Sequence, residues 1–450
     1  MLHSKIKPQD FRKLLRFVWR SPRSDFYRNL YKKAGFNPVL DFTSPADLTK
    51  VPFLTRSDLG SVKPKKRLYV PLKDVDYIKV SSGFSGEKKD LLVTYCCHYR
   101  SKPLNKDLAI DSIPPHLKKI FYLRRAEHVP IFFSRARDLG RLAIFGNRSD
   151  PEWSAKVLSE VEAQALLAVP TEAVLFANYI KKYYDPRKIK LVIVYGEPVT
   201  RMQHRELLRL YPEASVRSLY GMAVFNRPVG IQCDHLAKIA PNLYHSVPGY
   251  FYETKVVGKN GFLRKELVLT DFEKAATPFI RYRTGDAAKF INSNYKCRCG
   301  KIGLIFVFLG RVVMDAIQCT NQFMIRARDV QYTLSKNKIQ YRGFRLEVDE
   351  KKYGHSPRSI LKLMLFVKIY PSRVLQINIY KILKKSLYFN VRYKLSDGSP
   401  RLADLLRRRE ILNFQINFKK ISDKENPQCE LVDMRVYHAL PRNFLSKLTK

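Results

Sequence analysis

Pro278-Phe279-Ile280-Arg281-Tyr282-Arg283-Thr284-Gly285-Asp286 places a charged, glycine-containing turn after an apolar run. It offers a fixed carboxylate, Asp286, beside two guanidinium groups, Arg281 and Arg283. A carboxylate accepts hydrogen bonds from both hydroxyls of a ribose, and guanidinium groups hold phosphates. Downstream come Cys297-Arg298-Cys299-Gly300 and then Gly310-Arg311. The order of these three elements carries more weight than any one of them.

Upstream, the hydrophobic period alternates. Lys190-Leu191-Val192-Ile193-Val194-Tyr195 is an apolar run of the kind buried in a parallel sheet. It ends in Gly196-Glu197-Pro198, a helix is predicted from about Arg201 to Leu210, and Ser215 to Leu219 reads as the next strand, ending in Tyr220-Gly221. Helices are also predicted over Ala155–Leu167 and Thr171–Tyr184, with Thr171 as N-cap. Strand, helix, strand is an α/β pattern, and ligands of such sheets bind at the loops following the strands' carboxyl ends. Farther back, Tyr77–Val80 and Leu91–Tyr95 read as strands flanking Ser81-Ser82-Gly83-Phe84-Ser85-Gly86-Glu87-Lys88-Lys89. Hydroxyls and bare backbone N–H groups in such a loop can wrap phosphate oxygens. Residues 10–36 read as helical, 47–48 as a short helix, and Ser57-Asp58 as a helix cap. After Asp315 lysine and β-branched residues rise, with strands predicted at 361–370 and 374–380. The reading is a large N-terminal α/β domain, 1–313, with mixed sheets and helices, and a smaller mobile α+β domain, 314–450.

The 450 residues allow about two to three domains and an ample core. With 45% hydrophobic and 12% aromatic residues, wholesale disorder is excluded. Lysine and arginine number 83 against 40 acidic residues, a net charge of +43. Such a surface attracts polyanions, but its cations are spread along the chain with no RNA-binding signature, so nucleic acid is a minor reading. No signal peptide or apolar run of membrane-spanning length is visible. The 7 cysteines are sparse and irregularly placed, which fits a reduced, cytoplasmic protein, and Cys96-Cys97 reads as packing. Cys233, His235, His245, Cys297 and Cys299 are metal-capable types, though their spacing alone leaves packing and metal readings both open.

Taken in order, these residues resemble the adenylate-forming (AMP-binding) superfamily, specifically its phenylacetate–coenzyme A ligase-like branch. Leu48 to Leu59 resembles the segment "DL..LP..T..DL", and Ser81 to Gly86 the phosphate loop "SSGTTG". Tyr195 to Pro198 resembles "GGEPL", Tyr220-Gly221 the start of "YGxTE", and Gly310-Arg311 the "GR" before a hinge. Arg281 to Asp286 matches "RYRTGD" without a break, and Leu440 to Lys447 resembles "LPRTxxGK". The resemblance implies that ATP with Mg²⁺ and a small-molecule carboxylic acid give an acyl-adenylate, which passes to coenzyme A or another nucleophile. It makes Lys447 catalytic. Nucleotide would be held by Ser82, Gly83, Ser85, Gly86, Lys88, Gly196, Glu197, Pro198, Tyr220, Gly221, Asp286 and Arg311, with Tyr220 stacking on adenine. A structural Zn²⁺ would sit on Cys233, His245, Cys297 and Cys299, with His235 the alternative to His245. A homodimer is an allowed assembly. Two departures stand out. Ala223 and Val224 replace the threonine and the Mg²⁺-facing glutamate of "YGxTE", and Phe84 replaces a threonine. The alternative is therefore a catalytically weakened homologue that keeps binding without full ligase activity.

Overall fold

The computed structural model describes residues 8–75, 77–80, 93–96, 112–124, 136–222, 224–225, 227–258, 264–273, 276–312, 316–319, 323–354, 356–387, 389–391, 400–422, 430–435 and 439. The strands of its first part are β1 (Tyr77–Val80), β2 (Val93–Cys96), β3 (Lys119–Arg124), β4 (Leu142–Asn147), β5 (Ala165–Ala168), β6 (Leu191–Tyr195), β7 (Ser215–Tyr220), β8 (Gly230–Ile231), β9 (Leu243–Ser246), β10 (Tyr250–Val257), β11 (Arg264–Asp271), β12 (Phe279–Lys296) and β13 (Ile302–Arg311). Eleven of them form one sheet in the order β10-β11-β12-β13-β9-β8-β7-β6-β5-β3-β4. The half from β4 to β7 is parallel and the half from β7 to β10 antiparallel.

The parallel half follows from its sequence. Leu191 to Val194 and Ala165 to Ala168 are buried throughout, as strands covered on both faces must be. Helices Pro151–Glu160, Pro170–Tyr183 and Arg201–Leu210 cover them, burying Leu158, Phe176, Ile180 and Leu207 in one cluster. Two expectations fail here. The helix predicted over 155–167 stops at Glu160, with Glu162 at φ 50°, and Ala165–Ala168 is strand β5. An unbroken apolar run has no period to tell buried strand from helix. Thr171 is no N-cap: Val169 holds that position, and the Thr171 hydroxyl donates to Glu197 Oε2 at 2.7 Å.

At the N-terminus the helical stretch is split. Pro8–Arg20 and Phe26–Lys33 are separate helices, because Pro22 has no N–H to continue the first. Phe11, Leu15, Val18, Tyr27 and Tyr31 are buried, and the short 3₁₀ turn Pro45–Lys50 follows. Thr55, not Ser57, caps helix Arg56–Gly60, in a capping box with Asp58.

Beyond Arg311 come β14 (Ala316–Gln318), β15 (Phe323–Arg326), β16 (Gly343–Tyr353), β17 (Ser356–Val367), β18 (Asn390–Val391), β19 (Ile411–Lys420) and β20 (Glu430–Asp433). Their sheets are β14-β15-β18 and β19-β17-β16-β20. Their core runs from Ile317 to Leu431 and shares no residue with the clusters before it. The strand predicted at 374–380 lies instead inside helix Arg373–Ser386, whose N-cap Ser372 accepts from Leu375 N–H. β-branched residues suggested a strand, but buried Ile379 and Leu383, four apart, follow the helical period. Among the described residues no helix is long and apolar enough to cross a membrane.

Candidate functional site

Asp286 lies on β12 directly opposite Arg311 on β13. Two glycines make this facing possible. Gly285 has φ 74° and Gly310 φ 84°, conformations that side-chain-bearing residues rarely adopt. Val312 N–H closes the pair by donating to Gly285 O at 2.8 Å. The Asp286 carboxylate is buried and receives Arg311 Nε at 3.2 Å on Oδ1 and the Tyr220 hydroxyl at 2.7 Å on Oδ2. Burial pushes its carboxyl above the ordinary range, and Arg311 and Tyr220 oppose that push. Half-exposed Arg311 sits at the outer edge of this pair.

Tyr220 ends β7 and ties Asp286 to the parallel half of the sheet. Its ring is buried against Phe308, with centroids 5.1 Å apart, and against Tyr244 and Phe306. Next to it, β6 ends in Tyr195, paired with Leu219. The loop Gly196-Glu197-Pro198 therefore opens beside Tyr220-Gly221, at the strands' carboxyl ends. Tyr195 stacks on Tyr122 of β3, with centroids 5.9 Å apart. Val224, in the turn after Gly221, is buried.

The two arginines that precede Asp286 in its motif, Arg281 and Arg283, pair with other acids. Buried Arg281, at φ 48°, sends Nη2 to Glu253 Oε1 at 2.9 Å and Nη1 to the carbonyls of Leu48 and Val51. Its guanidinium lies over the Phe53 ring at 4.1 Å. Arg283 pairs with Glu266 at 2.7 Å. Glu266 also accepts from Gly285 N–H at 2.8 Å, while the Thr284 hydroxyl donates to Leu267 O and accepts from Asp286 N–H. The turn expected here is instead an irregular stretch of β12, and Glu253, Glu266 and Thr284 hold it so that it presents Asp286. The one signal for the two glutamates was a carboxylate inside each of two β-rich stretches upstream of the motif.

The cysteine–histidine residues also converge. Cys233 is the N-cap of helix Asp234–Ile239, His245 lies on β9, and Cys297 and Cys299 lie in the turn between β12 and β13. Their ligand atoms all lie within 4.8 Å of one another. Cys233 Sγ is 3.7 Å from Cys297 Sγ and 3.4 Å from His245 Nε2, which is 3.5 Å from Cys299 Sγ. His235 points elsewhere, its Nε2 3.1 Å from the Tyr295 hydroxyl. Burial raises the Cys233 thiol to about 12 and lowers His245 to about 4, so each is neutral as a free group near neutral pH. Ser82, Gly83, Ser85, Gly86, Lys88 and Lys447 lie outside the described residues, as do Phe84, Ala223 and Cys97.

No family model matches the chain. Among curated proteins it is 24% identical over 299 residues to a phenylacetate-coenzyme A ligase of Pseudomonas putida, covering 61% of this chain and 65% of that protein. With a phenylacetate-coenzyme A ligase of Thermus thermophilus it shares 23% over 326 residues, 66% of this chain and 67% of that protein. The chain spans about two thirds of the length of these relatives. Among solved structures, a 2-hydroxyisobutyryl-CoA ligase in complex with 2-HIB-AMP and CoA in the thioesterification state matches with a TM-score of 0.54, at 16% identity, over 98% of this chain and 91% of that one. Its open conformation matches with a TM-score of 0.53 at 15% identity, over 95% and 90%. The chain has the fold of the adenylate-forming enzymes and is similar in sequence to their phenylacetate–coenzyme A ligase-like branch.

Proposed function

We propose that this protein activates a small-molecule carboxylic acid with ATP, forming an acyl-adenylate and pyrophosphate, and passes the acyl group to coenzyme A or another nucleophile. The observation that carries the proposal is Asp286, a buried carboxylate held by Tyr220 and Arg311 beside the carboxyl-end loops of β6 and β7. It would accept the ribose hydroxyls, with Arg311 as a cation beside the sugar and α-phosphate. Gly196, Glu197, Pro198 and Gly221 would line the adenine side. Ser82, Gly83, Ser85, Gly86 and Lys88 would wrap the β- and γ-phosphates. Attack by the substrate carboxylate builds negative charge at the α-phosphate, and Lys447 would supply the preorganised cation there. The lid that brings Lys447 would be residues 314–450, a reading supported by their separate core.

For Mg²⁺, the Val224 side chain supplies no oxygen ligand, so the ion would arrive on the ATP phosphates. The donor set at Cys233, His245, Cys297 and Cys299 fits Zn²⁺. Tetrahedral zinc with Zn–S bonds of about 2.3 Å spaces its sulfurs about 3.8 Å apart, close to the 3.7 Å between Cys233 and Cys297. Bound there, the ion would clip helix Asp234–Ile239 and β9 to the β12–β13 turn. The sparse cysteines suit a reducing, cytoplasmic setting.

Hydroxamate trapping of acyl-adenylates across an aromatic and aliphatic acid library tests the activity. Turnover is expected with at least one acid, and Lys447→Ala is expected to lower it by about a hundredfold or more. Nucleotide binding without turnover across the library would replace this reading with that of a weakened, binding-only homologue.

A further inference from the structure

We infer that the turn and helix start spanning Ile369–Ile377 form a docking surface for an anionic lipid bilayer. β17 ends at Val367, and the chain turns into helix Arg373–Ser386. Only the later part of that helix is anchored, through buried Ile379 and Leu383. Ser372, Arg373, Val374 and Leu375 at its start are exposed, as are Lys368, Ile369 and Tyr370 ahead of buried Pro371. Five large apolar side chains stand out there: Ile369 is 83% exposed, Val374 69%, Tyr370 55%, and Leu375 and Ile377 49% each. Isolated exposed aliphatics are ordinary, but five large apolar side chains exposed within nine residues call for a partner.

Charge decides which partner. From Lys368 to Leu387 the chain contains five basic residues and no aspartate or glutamate. Arg373, Lys381, Lys384 and Lys385 are exposed along the helix, and exposed Lys420 pairs with Val367 at the base of the turn. A second copy of the chain would bring the same cations against each other. An apolar wedge rimmed by cations instead matches the interface of a membrane carrying anionic headgroups: aliphatic groups enter the acyl boundary while lysine and arginine meet phosphates. This surface lies on elements separate from Asp286 and stands whether or not the chain turns over ATP.

The test uses the full chain and vesicles of phosphatidylcholine with and without phosphatidylglycerol. A protein of net charge +43 adheres to anionic vesicles at low salt in any case, so the apolar contribution must be isolated. Two variants do this. Ile369→Trp should shift its emission to the blue on phosphatidylglycerol vesicles and be quenched by lipids labelled in the acyl chain. The charge-neutral triple variant Ile369→Ser, Val374→Ser, Ile377→Ser should weaken the salt-resistant binding by at least about tenfold. Leu40→Ser, at an exposed site in the large part, should leave it unchanged. Binding abolished by salt and equal in wild type and triple variant would overturn the inference. So would an Ile369→Trp signal blind to vesicles, or a dimer in wild type that the triple variant dissolves.

Discussion

Arg281 looks from the sequence like a phosphate ligand, and the structure gives it other work. Its guanidinium neutralises buried Glu253 and caps two backbone carbonyls of residues 48–51. Truncating one member of such a pair strands the other charge in low dielectric. Arg281→Ala should therefore destabilise the fold by about 3–5 kcal/mol, read as a lowered denaturation midpoint in urea. An equally stable variant would show that the pair holds nothing. The partner was illegible because Glu253 lies two strands away, on β10, and no local period links it to Arg281. Asp286 was legible because the residues that shape its stretch of β12, Thr284 and Gly285, are its sequence neighbours. Its raised pKa has a consequence with a definite sign. The folded state holds this proton to higher pH than an ordinary carboxyl at about 3.9. Stability from the neutral form is full below that range and is lost as pH rises through the raised value. If Asp286 accepts the ribose hydroxyls as proposed, nucleotide binding needs its carboxylate and should rise over the same window. AMP affinity titrated against pH should fall on the acid side with a midpoint above 3.9, and Asp286→Asn should flatten that limb.

At the scale of elements, the β12–β13 pair carries both candidate sites. Its Gly285/Gly310 end presents Asp286 and Arg311, and its far turn presents Cys297 and Cys299. The cysteines alone could not say which histidine joins them. Fold position decided it: His245, on β9 inside the sheet, pairs with Ile305 of β13, whereas His235 lies on the flanking helix and reaches Tyr295. If zinc clips these elements, chelation should lower the melting temperature by several degrees, and Cys297→Ser should reproduce the loss and abolish the response to chelator. An unchanged melting curve, with no zinc found by elemental analysis, would leave the four residues as packing. Elements were misread where the local signal was degenerate. The apolar run Ala165–Ala168 suits helix or strand, and β-branched residues 374–380 suit a strand until their burial is known.

Over the whole molecule, the ordered motifs foretold the α/β fold: Tyr195–Pro198, Tyr220-Gly221 and Gly310-Arg311 mark strand ends, whereas Arg281–Asp286 lies inside β12 and Leu48–Leu59 spans two short helices. The path between the two parts was less legible. Arg264 donates to the carbonyls of Arg311 and Val312 and pairs with Glu430 at 2.7 Å, tying the exit from β13 to β20. No motif announces Arg264, since its partners are backbone atoms and a distant acid. Asp286 is the proposed partner of the ribose hydroxyls, so the decisive experiment isolates that one contact. Isothermal titration of wild type and Asp286→Asn with AMP and with 2′,3′-dideoxy-AMP forms a double cycle. Wild type should prefer AMP by about tenfold or more, and Asp286→Asn should lose that preference. Wild type that binds neither nucleotide, or an Asp286→Asn variant that discriminates as wild type does, would contradict the account.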